Sequence, residues 1–256
     1  MCKPLFRSRG SNLVACLVLS MTALLTVPGI AGDGNTNSIL MPPNSKPHGL
    51  SMGEWSAKWW QWCYSLPIDR HPLFDTADCS AGQSGKVWFL GGTFTTITGE
   101  NGDVLGIAHR SCTVPNGTFL FFPLLNVEGS TIEGNGTTEN ELKAYALSNG
   151  NHIVAESLFC TIDGVAAHHL INYRVQSPLF VFGPLPDNNP LQAFGYNAPQ
   201  GTSSPAAGDG VYVMVNPLSK GKHTIHFGGT VVYTLADDGF DFVFDLDITY
   251  QITVSK

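Results

Sequence analysis

Residues 118–126, TFLFFPLLN, read as a β-strand without a polar face. Side chains alternate across a strand, so Leu120 and Phe122 point one way and Phe119 and Phe121 the other. A sheet with one face in water alternates apolar and polar residues, whereas this strand needs cover on both sides. Residues 87–90, VWFL, have the same character.

The best available lid is EWSAKWWQW, residues 54–62, which holds four of the chain's five tryptophans. Its helix signals are complete. Ser51 is placed as N-cap, Glu54 closes a capping box, and Leu50 with Trp55 forms a hydrophobic staple. Pro67 ends the segment. At 100° per residue Trp55, Trp59, Trp62 and Leu66 share one stripe, with Cys63 at its edge, and are assigned to the core. Trp60 and Tyr64 point about 140–180° away from Trp55. Trp60 is therefore expected to be the one tryptophan of the four free to act as a contact surface.

The rest is mostly strand. Turn residues bound expected strands at 86–94, 105–114, 118–126, 153–162, 165–175, 178–183, 211–215, 222–234 and 240–254. A second helix is expected at 139–148, capped by Thr138 with Glu141 and stopped by Asn149-Gly150. Residues 184–210, rich in Pro and Gly, read as loop. Many strands without βαβ alternation predict a mainly β fold, a sandwich or jelly roll, over residues 50–256. Residues 32–49 form an extended leader.

Residues 1–31 read as a signal peptide: Lys3, Arg7 and Arg9, an apolar run from Leu13 to Val27, then small residues before a cut after Ala31. A lipobox-like Leu13-Val14-Ala15-Cys16 opens the apolar run, where it should follow it. Cleavage removes three of 13 cationic and none of 20 anionic residues, leaving a net charge near −10. That excludes nucleic acid and anionic membrane surfaces as partners by charge. No later segment of the mature chain suits a membrane span. Four cysteines remain, an even number favouring disulfides in an exported protein, with three pairings open. Cys79–Cys112 is favoured because both flank the same run of strands. Closing that loop contributes about 3–4 kcal/mol in the chain-entropy account. Cys63–Cys160 follows by elimination.

Several constellations suggest chemistry. Gly49-Leu50-Ser51-Met52-Gly53 matches the nucleophile-elbow pattern, but a proline-rich leader precedes it where the elbow needs a strand, and Ser51 is better used as a cap. His223 and His226 fall on opposite faces of a strand, so they cannot share an ion. His223 after Gly221 instead resembles a sandwich corner residue bonded back to the preceding loop. Asp241, Asp245 and Asp247 line one strand face, a solvated face or an acidic catalytic strand of the glycosidase kind. Arg110, Asn126, Glu128 and Asn188 stand at strand ends or in the long loop, where a sandwich binds ligands. No complete metal or cofactor set is visible.

The order of motifs carries a resemblance: Trp55-x-x-Lys58-Trp59-Trp60-Gln61-Trp62, Trp88-Phe89-Leu90-x-Gly92-Thr93, Arg110-x-Cys112-x-Val114-Pro115-x-Gly117, and Gly221-x-His223-Thr224-Ile225-x-Phe227-x-Gly229. The chain resembles an uncharacterised group of signal-peptide-bearing bacterial and archaeal proteins. The resemblance implies export and supports the Cys79–Cys112 pairing. Cys63 and Cys160 are additions to the group's pattern, and no activity comes with it.

The expected function is a non-catalytic secreted or periplasmic binding protein, or an envelope-associated one, with a polysaccharide or envelope component as partner. Trp60, Tyr64, Arg110, Asn126, Glu128 and Asn188 are its candidate binding residues. The alternatives are a secreted carbohydrate hydrolase using Glu128, Asp241 or Asp245, and a structural surface subunit.

Overall fold

The computed structural model describes residues 39–255. The expected signal peptide, its cleavage point and the Cys16 lipobox lie outside these residues, as do residues 32–38 of the leader. The elements run α1 (Met52–Tyr64), β1 (Val87–Phe89), β2 (Ile97–Thr98), β3 (Val104–Val114), β4 (Phe119–Ser130), α2 (Glu139–Gly150), β5 (Phe159–Ile162), β6 (Val165–Ala166), β7 (Arg174–Gln176), β8 (Phe180–Phe182), α3 (Pro190–Ala193), β9 (Ser204–Val215), β10 (Gly221–Tyr233), α4 (Leu235–Asp238) and β11 (Phe242–Val254), with short 3-10 turns between them.

The fold is mainly β and contains two mixed sheets. One runs β1-β4-β9-β7, with β8 also on β9; the other runs β2-β3-β11-β10-β5-β6. β1 lies parallel to β4 and β3 parallel to β11, while the remaining pairs are antiparallel. The turn at Pro115–Gly117 joins β3 in the second sheet to β4 in the first, and Gly117 takes a φ of +77° there. Two departures from the expected elements stand out. β9 starts at Ser204, inside the stretch read as loop, because its Pro and Ala residues pair with β8 and the end of β4. The expected strand 153–162 is mostly a turn and a 3-10 segment: Ile153 makes an isolated bridge to Val231, and continuous pairing is confined to 159–162.

β4 is covered on both sides. Leu120 and Phe122 join Trp88, Leu90, Phe227, Ile248 and Tyr250 in the core between the sheets. Phe121 joins Val87, Tyr212, Met214 and the tryptophans of α1 in a second core under the helix. The helix is buried nearly all round: only Glu54, Lys58, Gln61 and Ser65 reach solvent, a stripe one residue wide. Both capping boxes form, Ser51 with Glu54 and Thr138 with Glu141. Cys79–Cys112 is a disulfide with Cα atoms 5.6 Å apart, tying the loop after α1 to β3. Cys63 and Cys160 are free thiols, correcting the pairing reached by elimination. The reason is the layering: Cys63 lies in the helix-side core and Cys160 between the sheets, so β4 and β9 separate them. Among the described residues no helix is long and apolar enough to cross a membrane.

Candidate functional site

The four tryptophans of α1 are fasteners. Each indole N–H donates to a different internal acceptor: Trp55 to the Pro47 carbonyl (2.9 Å), Trp59 to the Leu90 carbonyl (2.6 Å), Trp60 to the Tyr212 hydroxyl (3.1 Å) and Trp62 to the Ala81 carbonyl (3.0 Å). A buried polar group without a partner costs about 1–3 kcal/mol, so these bonds permit deep burial of indoles. Trp60 is only 6% exposed, which corrects the expected free ring. It sinks because β9 carries Gly208 beneath it, where a Cβ would lie 2.8 Å from the indole nitrogen. Tyr64, stacked on Trp60 at 5.5 Å and packed on Phe182, is equally buried.

A register shift between Pro123 and Leu125 reshapes β4 beside this ring pair. The extra residue sends both Leu124 and Leu125 into the inter-sheet core. Asn126 and Glu128, two apart, then share the helix face. The Asn126 amide donates to the Tyr212 hydroxyl at 3.1 Å, the same oxygen that Trp60 holds. Where the bulge parts the layers there is a cavity of about 240 Å³. Trp59, Trp60, Phe94, Leu124, Leu246 and Asn126 are among its walls, and exposed Thr96 stands at its rim.

Next to it, on the same face of β4, the Tyr64 hydroxyl donates to Oε2 of Glu128 at 2.9 Å. Glu128 also contacts the carboxyl of Glu133, which in turn accepts from the Ser130 hydroxyl at 2.5 Å. Burial, then the neighbouring Glu133, push the Glu128 carboxyl well above the usual carboxylate range.

The remaining candidates lie elsewhere. Arg110 pairs with Asp75 at 2.6 Å and donates to the Gly91 and Gly92 carbonyls and the Tyr250 hydroxyl. It braces the loop walling the cavity and does not line it. The Asn188 carbonyl accepts from the Ile68 amide, and its backbone takes a φ of +54°, so it shapes a turn. Asp245 accepts from Thr230, and Asp241 from the Leu235 amide. Leu246 points into the inter-sheet core, so Asp245 faces outward from the second sheet, while Glu128 faces outward from the first. Glu128 and Asp245 therefore stand on outer faces of different sheets, which corrects their expected use in one cleft, and Asp241 is held in the turn before β11 by the Leu235 amide.

His223 does bond back to its loop, to the Ser219 carbonyl at 2.8 Å, and its other nitrogen meets Asp163 at 2.7 Å. Two acceptors suit an imidazolium, and Asp163 helps hold the His223 pKa above its usual value although partial burial opposes it.

Sequence reasoning missed His71. Its Nδ1 accepts from the Leu73 amide at 3.1 Å, and its Nε2 donates to the Cys63 carbonyl at 2.9 Å. That fixes the neutral tautomer with the proton on Nε2. The Cys63 sulfur, 3.9 Å from that nitrogen, therefore meets a donor and no base, and burial pushes its thiol far up. This Cys–His contact is structural. Glu133 was missed too, since nothing in its turn sequence marks it as a partner of Glu128.

Among the described residues no group of three or more His, Cys, Asp or Glu side chains could hold a metal ion. No family model matches the chain, and neither a curated protein nor a solved structure matches it.

Proposed function

We infer that the chain is a non-catalytic extracytoplasmic binding protein, and that the cavity at the β4 bulge receives a small, largely apolar ring. The cavity carries this reading. Its volume of about 240 Å³ is below the range usual for drug-sized ligands, so a single ring with a short substituent suits it. Its walls are mostly aromatic and aliphatic, and Asn126 supplies a polar handle. A sugar would require several free donors and an open aromatic face. The helix indoles spend their N–H groups inside the protein and bury their rings, which favours the apolar ligand over a glycan. Export rests on residues 1–31 and on the disulfide, a bond typical of oxidising compartments.

The hydrolase alternative has less support. Glycosidase carboxyls stand about 5–10 Å apart with a sugar or water between them, whereas Glu128 and Glu133 touch.

Calorimetric titration with cyclohexanol and with glucose tests the reading, because the two share ring size and differ in polarity. Cyclohexanol is expected to bind saturably and glucose to give no saturable heat. Thr96→Phe, which plugs the rim from an exposed position, is expected to abolish the signal. Saturable glucose binding without cyclohexanol binding would overturn the apolar reading.

A further inference from the structure

A second cavity, a groove of about 440 Å³, runs between the solvent-facing stripe of α1 and the turn before β1. It shares no wall residue with the bulge cavity. Lys58 from the helix and Lys86 from the turn both line it, and no carboxylate does. The chain carries 13 cationic against 20 anionic residues, so two lysines on an acid-free groove make a local positive field in an acidic molecule. Neither lysine is in an ion pair among the described residues. Glu54, one helical turn before Lys58, is committed to the cap: its Oε2 accepts from the Ser51 amide at 2.8 Å and the Ser51 hydroxyl at 2.7 Å. Two like charges on one space repel, and an anion between them relieves that repulsion.

The turn adds donors. Ser84, Gly85 and Lys86 line the groove, and their backbone amides donate to no acceptor among the described residues. Gly85 takes a φ of +74° and leaves open space where a Cβ would stand, so no side chain screens that part of the turn. Ammonium groups and free amides are the donors that carboxylate oxygens accept from most strongly.

The remaining walls are apolar. Phe89 is half-buried, and Trp55 and Trp62 stand with it. Trp62 spends its N–H on the Ala81 carbonyl, and Gly82 lies so close to its ring that a Cβ would stand 3.0 Å from the indole nitrogen. That wall is therefore fixed in place and offers a ligand only apolar surface.

We propose that this groove binds a small aromatic carboxylate, with the carboxylate between Lys58 and Lys86 and the ring against Phe89 and the two indoles. A bare inorganic anion leaves the apolar walls uncovered, and a neutral ring leaves both ammonium groups unpaired. The site is independent of the bulge cavity, and failure of either reading leaves the other untouched.

Titration of the full chain with sodium benzoate, followed through the tryptophan indole ¹H–¹⁵N signals, tests the proposal. The Trp55 and Trp62 signals are expected to move and saturate while Trp60, a wall of the bulge cavity, stays in place. Benzamide, a neutral ring of the same shape, and sodium sulfate are each expected to bind at least about tenfold more weakly. Raising the salt from about 0.01 to about 0.15 M is expected to weaken benzoate binding, because the Debye length falls from about 30 to about 8 Å. Lys58→Gln with Lys86→Gln, both at exposed positions, is expected to weaken it at least about tenfold with the fold intact. Unmoved Trp55 and Trp62 signals, a shift confined to Trp60, equal binding of benzamide or of sulfate, or unchanged binding by the double variant would each overturn the proposal.

Discussion

The indole N–H of Trp60 donates to the Tyr212 hydroxyl at 3.1 Å, joining the middle of α1 to β9 across 152 positions of sequence. Asn126 donates to the same oxygen, so one phenol pins the helix and the strand leaving the bulge. Tyr212→Phe leaves two donors without their acceptor. The expected loss is about 2–4 kcal/mol in urea unfolding, and a loss below about 1 kcal/mol would deny the network its role.

His71 makes stability depend on pH. Burial holds its pKa down to about 4, from an ordinary value of 6.5. The unfolded chain therefore takes up a proton there before the native one does. Stability is lost as pH falls below about 6.5 and the loss levels off below about 4, amounting to about 3 kcal/mol from this group. Denaturant unfolding between those pH values should show this slope, and His71→Gln, though less stable, should lose it.

Glu128 acts in the opposite direction. Its native pKa is raised, so its cost is absent well below the ordinary carboxylate range and grows as pH rises above it. Glu128→Gln is expected to stabilise the protein by about 1–3 kcal/mol at neutral pH and by little in acid. A destabilised Glu128→Gln at neutral pH would contradict the cost that burial and Glu133 place on the Glu128 carboxylate.

Alkylation distinguishes the cysteines. Cys63 and Cys160 are buried, and burial pushes the Cys160 thiol up to about 12. Both are expected to stay unmodified by iodoacetamide in the native protein and to react after unfolding, with modified sites mapped by mass spectrometry. Reducing Cys79–Cys112 is expected to cost about 3–4 kcal/mol.

Much of the layering was legible because it rests on alternation. Leu120 and Phe122 against Phe121, with a helix of four tryptophans nearby, specify a strand covered on both sides. Capping boxes at Ser51 and Thr138 were legible because they are local. Trp60 was misread because helical phase describes one helix alone. It cannot foresee a glycine 148 residues away, Gly208, that opens room for a second buried face. The parallel pairs β1–β4 and β3–β11 and the start of β9 were hidden because they depend on distant pairing. Asn126 and Glu128 were found from their place at a strand end. Their actual setting depends on the bulge, and Glu133 comes to Glu128 through a turn without a signature. Asp241 and Asp245 resembled a catalytic strand by spacing, yet spacing within one strand does not say which outer face of the sandwich it lines.

The most direct test of a ligand cavity at the bulge is a ¹H–¹⁵N spectrum of the tryptophan indoles during titration with cyclohexanol. The Trp59 and Trp60 signals are expected to move together and saturate, because both rings wall the cavity, while Trp55, one helical turn before Trp59 and not among the walls, remains unperturbed. Unmoved Trp59 and Trp60 signals at saturating ligand, or a shift confined to Trp55 and Trp62, would contradict the account.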